Sequence, residues 1–122
     1  MKTILVVDDS IIMRNIVKNI FTELKINCQY LEAPNGKKAF QLLETNNVNL
    51  VFLDWNMPEM DGLEFLKKVR AMPAYSELPI IMVTSEAAKY NVVEALQTGA
   101  TDYIVKPIND KVFKAKVLET AF

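Results

Sequence analysis

Histidine is absent from this chain, cysteine occurs once, and no apolar run comes near the ~20 residues a membrane helix needs. The first absence excludes a Ser-His-Asp triad, a histidine general base and histidine metal ligands. The second leaves Cys28 with no partner for an internal disulfide, removes thiolate zinc sites, and predicts a reducing, cytoplasmic setting. Charge of one sign is also lacking. A net charge of −1 gives no electrostatic basis for binding nucleic acid or an anionic membrane. Linkers, repeats and low-complexity tracts are missing too. Any polar chemistry must therefore rest on carboxylates, lysines, hydroxyls and a hard cation.

What is present suits one compact domain spanning residues 1–122. The length is typical for one, and with 51% hydrophobic residues the chain can form a real core. Short apolar runs alternate with amphipathic stretches. Ile4–Val7 reads as a strand buried on both faces, and the two aspartates after it make it a strand end and not a signal peptide. Ser10 is placed to cap a helix over about Ile11–Leu24, with Ile12, Ile16 and Ile20 as its apolar face. Cys28–Leu31 is a weaker strand, with Cys28 expected buried. Asn35-Gly36 reads as a turn, and Ala39, Leu42 and Leu43 mark a second helix. Leu50–Leu53 is a buried strand ending at Asp54. Asp61-Gly62 opens a helix with Leu63, Leu66 and Val69 on one face. Pro79–Val83 is a buried strand ending at Thr84. A helix over about Ala87–Leu96 stops at Gly99. Tyr103–Val105 is a last strand, and a final helix starts near Asp110 with Phe113 and Val117 inward. Five β/α units predict an α/β, doubly wound parallel sheet covered on both faces.

The polar residues fall at the strand ends. Asp8-Asp9, Asp54, Thr84-Ser85 and Lys106 each follow an apolar run. In this architecture that edge holds the ligand site. Alone, each residue is bland: a lone aspartate after a strand is usually a helix cap. Together they are not. Two like charges 4 Å apart cost about 4 kcal/mol at an effective dielectric near 20, so three carboxylates in one cleft demand a cation. Oxygen-only ligands select a hard ion, and carboxylates with waters and a phosphate are the usual Mg²⁺ arrangement. Lys106 can pair with a phosphoryl oxygen, Thr84 can donate to another, and Asp54 can act as a carboxylate nucleophile.

Five segments carry a resemblance that spans essentially the whole chain. They are Val6-Val7-Asp8-Asp9-Ser10, the run from Asp54-Trp55-Asn56-Met57-Pro58 to Asp61-Gly62, Pro79–Thr84, Gly99-Ala100, and Tyr103-Ile104-Val105-Lys106-Pro107. The chain resembles two-component response-regulator receiver domains, most closely the single-domain chemotaxis regulators, through Met13-Arg14, Asp54–Pro58 and Tyr103. The resemblance implies a flavodoxin-like (βα)5 sandwich with strand order 2-1-3-4-5.

It also implies roles. Asp54 would be phosphorylated by a histidine kinase. Asp9 and Asp54 would ligate Mg²⁺, Asp8 through water, and Asn56 through its main-chain carbonyl. Thr84 and Lys106 would bind phosphoryl oxygens, and the Lys106–Pro107 bond would be cis. Thr84 and Tyr103 would couple phosphorylation to the face of the fourth helix, fifth strand and fifth helix, where Lys89, Tyr90 and Lys116 lie. Asn56 and Glu86 would tune a phosphoryl lifetime of seconds to minutes. The output would be a partner protein, the flagellar motor switch first, with a phosphatase as a further partner. With no output domain, direct control of transcription is not expected.

Three other functions compete. A phosphorelay intermediate would pass the group to a histidine phosphotransfer protein. A small Mg²⁺-dependent phosphatase would need a general acid two residues past Asp54, where Asn56 stands. A flavin binder would need a phosphate-cradling loop where Asp8-Asp9 would repel phosphate. Trp55 reads as a partly exposed neighbour of the site, the methionines as fillers, and Lys37-Lys38 and Lys67-Lys68 as solvated helix faces.

Overall fold

A computed structural model describes residues 1–84 and 89–121, apart from the side chains of residues 89–91 and 121. Five parallel strands alternate with helices: β1 (Lys2–Val7), α1 (Ile11–Glu23), β2 (Cys28–Ala33), α2 (Gly36–Thr45), β3 (Leu50–Asp54), α3 (Gly62–Arg70), β4 (Ile80–Thr84), α4 (Lys89–Thr98), β5 (Asp102–Val105) and α5 (Asp110–Ala121). The sheet order is β2-β1-β3-β4-β5. The first connection therefore steps one way from β1, and every later one steps the other way. Right-handed crossovers then send helices to opposite faces.

The core divides accordingly. Along β1, β3 and β4, alternate side chains enter two clusters, as the period-2 geometry of a strand requires. Leu5, Val7, Val51, Leu53, Ile80 and Met82 meet Ala39, Leu43, Phe65, Leu66, Val69 and Ala95 of α2–α4. Ile4, Val6, Leu50, Phe52, Ile81 and Val83 meet Val17, Ile20, Phe21, Phe113 and Val117 of α1 and α5. Both faces are buried, which is why these strands are continuous apolar runs.

Local chemistry sets the element ends. The Ser10 hydroxyl accepts from the Met13 amide at 3.3 Å, and the Asp61 carboxylate from the Glu64 amide at 2.9 Å. Gly99, at φ +122°, ends α4 where an L side chain is strained.

Three sequence expectations change, and one element had none. Ile12 is 70% exposed, because a four-residue step advances 400° and drifts off the core stripe of Val17, Ile20 and Phe21. Cys28 is half-buried, since it opens an edge strand with fewer neighbours over it. Asn35-Gly36 is a helix start and not a free turn: the Asn35 side chain accepts from the Lys38 amide at 2.9 Å. A short 3₁₀ turn, Pro73–Tyr75, fills the α3–β4 connection. The expected start of the fourth helix at residue 87 lies outside the described residues.

Candidate functional site

Strand register builds the site. Val7 pairs with Leu53, so Asp8 follows β1 level with Asp54 of β3. Asp54 pairs with Val83 of β4, and Thr84 with Val105 of β5. Asp8, Asp54, Thr84 and Lys106 thus step along one carboxyl edge, at the switch in strand order where α/β sheets bind ligands.

Asp8, Asp9 and Asp54 each offer a carboxylate oxygen, and these oxygens lie within 4.8 Å of one another. Asp8 is 5% exposed and Asp54 4%, while Asp9 is open to solvent. Burial pushes the Asp54 carboxyl above its ordinary range, and the Asp8 charge pushes it further; Lys106 opposes both. Burial likewise raises Asp8, against a hydrogen bond from the Ser10 amide and the charge of Lys106. Lys106 Nζ lies 3.3 Å from Asp54 Oδ1 and 3.5 Å from Asp8 Oδ2. Three carboxylates against one lysine, which contacts only Asp8 and Asp54, leave an excess of negative charge. An all-oxygen, partly buried donor set of this kind fits a hard divalent cation.

Several groups hold the edge in place. Asp8 Oδ1 accepts from the Ser10 amide at 2.9 Å, and the Asp8 amide donates to the Ala33 carbonyl at 3.0 Å. The loop after Asp54 folds back so that the Gly62 amide reaches the Trp55 carbonyl at 2.8 Å. A Cβ at Gly62 would stand 2.3 Å from the Asp54 carbonyl oxygen, so only glycine permits this approach. Glu59, in the same loop, has φ +70°, a left-handed conformation uncommon outside glycine. Asn56 is exposed beside half-buried Trp55. The Lys106–Pro107 bond is cis.

Thr84 is buried, at 1% exposure. It shares a sheet face with Met82, whose register partner is Tyr103, so Thr84 and Tyr103 are diagonal neighbours on that face. Tyr103 is half-buried. Lys116 Nζ of α5 sits 4.4 Å from its ring centroid and bonds Asp102 Oδ1 at 2.9 Å. Tyr103, Asn109, Val112 and Lys116 line a shallow pocket of about 250 Å³.

The structure brings together Asp8, Asp9, Asp54 and Lys106, with Thr84 and Tyr103 on the adjoining strands. Ser85 and Glu86, and the side chains of Lys89 and Tyr90, lie outside the described residues. Sequence reasoning gave Glu32 and Lys18 no role, and it used Arg14 only for resemblance. Arg14 Nη1 bonds the Asp8 carbonyl at 2.6 Å, and Glu32 receives both Arg14 and Lys18. One signal was available: two cations four residues apart lie on one helix face, and an acid opposite them on a strand can bind both. The close approach of Gly62 had no such signal, because it depends on the path of the loop.

The chain belongs to the response regulator receiver domain family, which it matches over residues 4–118. Two of its curated relatives are chemotaxis proteins. It is 50% identical over 115 residues to the chemotaxis protein CheY homologue of Campylobacter jejuni, covering 93% of this chain and 88% of that protein. It is 46% identical over 115 residues to chemotaxis protein CheY1 of Helicobacter pylori, covering 93% and 92%. Among solved structures, chemotaxis protein CheY4 of Vibrio cholerae superposes with a TM-score of 0.87 at 31% identity, covering 98% of both chains.

Proposed function

We propose that residues 1–122 act as a phospho-acceptor switch, in which Asp54 takes a phosphoryl group from the phosphohistidine of a histidine kinase. One observation carries this reading: a buried aspartate shares its pocket with Asp8 and Asp9 and lies 3.3 Å from Lys106. An oxygen of Asp54 would form the new P–O bond as the donor's P–N bond breaks, the electron pair leaving on the imidazole nitrogen. Lys106 would move from Asp54 to a phosphoryl oxygen, and the Thr84 hydroxyl would donate to a second. Asp9, Asp54 and the Asn56 carbonyl would hold Mg²⁺, with Asp8 reaching it through water. The bound ion would neutralise charge on the transferring group.

The product is a state of the protein itself, so the chain is a regulator and not an enzyme of turnover. Movement of Thr84 toward the phosphoryl group would free space for its diagonal neighbour Tyr103 and change the face of α4, β5 and α5. A shift of state requires a ligand that favours one state, and the new contacts to Thr84 and Lys106 supply that difference. Asn56 and Glu86 would set the lifetime of the phosphoryl group by controlling water entry. The chemotaxis relatives favour the flagellar motor switch as the partner and a cytoplasmic setting; among the described residues no helix is long and apolar enough to cross a membrane.

Trp55, the only tryptophan, follows Asp54 directly and would serve as its fluorescent reporter. Its fluorescence should respond to Mg²⁺ and then to acetyl phosphate, and Asp54→Asn should lose the second response. Silence toward both ligands in the unsubstituted protein would count against the proposal.

A further inference from the structure

We propose that Arg14 is a positioning residue for the acidic pocket. Anchored on Glu32, it fixes the peptide between Asp8 and Asp9 and so sets the affinity for Mg²⁺. The proposal rests on the Mg²⁺ reading above.

The sheet cannot fix that peptide by itself. The register of β1 with both neighbours ends at Val7, opposite Ala33 and Leu53, and the last bond to β2 runs from the Asp8 amide to the Ala33 carbonyl at 3.0 Å. The Asp8 carbonyl lies one residue beyond this ladder. Arg14, one helical turn past the Ser10 cap, supplies its partner through Nη1 at 2.6 Å. The Nε of the same guanidinium donates to Glu32 Oε1 at 3.0 Å, and its side chain is only 15% exposed. Glu32 is held in turn, because Lys18 Nζ donates to its other oxygen at 3.1 Å. Helix α1, strand β2 and the end of β1 therefore meet at one planar fork. The peptide that Arg14 grips joins the two acids of the pocket. Its rotation would change the directions of both carboxylates at once. Groups that orient metal ligands from behind commonly change affinity as much as this.

The arrangement makes little sense as electrostatics alone. A guanidinium close to a cation site repels the cation, so charge alone predicts tighter Mg²⁺ binding when Arg14 is removed. Positioning predicts the reverse. Arg14→Lys separates the two further, because it keeps the charge and loses the fork that reaches two acceptors.

The test is Mg²⁺ titration by Trp55 fluorescence in the wild type, Arg14→Met, Arg14→Lys, Glu32→Gln and the Arg14→Met/Glu32→Gln double variant. Amide hydrogen exchange without Mg²⁺ is measured alongside. Arg14→Met should bind Mg²⁺ on the order of 10-fold more weakly or worse. Arg14→Lys should also bind more weakly, and the double variant no more weakly than Arg14→Met. Without Mg²⁺, exchange should quicken at Asp9 and Ser10 and stay unchanged in β3 and β4. If Arg14→Met does not fold, Arg14→Lys carries the same comparison. Unchanged or tighter binding in the folded Arg14 variants, or exchange that quickens evenly across the sheet, would overturn the proposal. A wild type that does not bind Mg²⁺ would overturn the proposed function, and this inference with it.

Discussion

Asp54 meets two sources of repulsion when no cation is bound: it has lost water, and Asp8 shares its pocket. Both raise its pKa in the folded state. A carboxyl whose folded pKa is raised binds its proton more tightly folded than unfolded. Its ionisation therefore opposes folding, and stability falls as pH rises from the ordinary carboxylate range through the raised value. Asp54→Asn should accordingly raise the thermal midpoint of the Mg²⁺-free protein at neutral pH. The gain should shrink on acidification, as the native carboxyl takes up its own proton. Melting curves at several pH values check this, and a gain that grows toward acid would contradict it. Lys106 gives a second prediction. Among the described residues it is the cation in contact with both Asp8 and Asp54. Lys106→Met should therefore bind Mg²⁺ more tightly in a titration, because a competing charge is gone. It should also lose the fluorescence change caused by a phosphodonor.

At the scale of the element, caps and close approaches decide the geometry. Gly99 ends α4 at φ +122°, and an added Cβ would also stand 2.9 Å from Arg70 Cγ. Arg70 cannot move aside freely, since its Nε and Nη1 hold the Gly99 and Tyr75 carbonyls at 2.8 and 2.7 Å. Gly99→Ala should cost ~1–3 kcal/mol, the scale of a strained backbone conformation, read by denaturant unfolding. Elements of this kind were legible in sequence. Ser10, Asp61 and Gly99 announce helix ends by their chemistry, and Leu63, Leu66 and Val69 announce a buried face by spacing. Ile12 misled because a four-residue spacing mimics a face for two turns and then drifts off it. Asn35-Gly36 misled because the same dipeptide serves a turn and a helix start. The Pro73–Tyr75 turn is too short to leave a periodic signal.

At the scale of the molecule, β1, β3 and β4 were legible because burial on both faces leaves unbroken apolar runs, while the half-buried edge strands β2 and β5 left weaker signals. The strand order was not legible, since adjacency in a parallel sheet is invisible to local pattern; resemblance alone supplied it. The candidate site was legible because its acids, hydroxyl and lysine each interrupt an apolar run at its carboxyl end. The Arg14–Glu32 pair was only half signalled: Arg14 and Lys18 mark one helix face by their spacing, but their shared acid lies 18 positions from Arg14 and meets it only through the fold. The two halves of the core share β3 as a central wall. Phe52 stacks on Phe113 of α5 at 5.1 Å and meets Phe21 of α1 edge-on at 5.6 Å. Phe52→Ala should cost about 3–5 kcal/mol, through lost burial and a cavity that neither helix can fill.

Intact-mass measurement after incubation with a phosphodonor and Mg²⁺ addresses Asp54 most directly. One added phosphoryl group in the wild type, absent without Mg²⁺ and absent in Asp54→Asn, is the result required of a phospho-acceptor. A wild type that gains no mass, or an Asp54→Asn variant that gains as much, would contradict it.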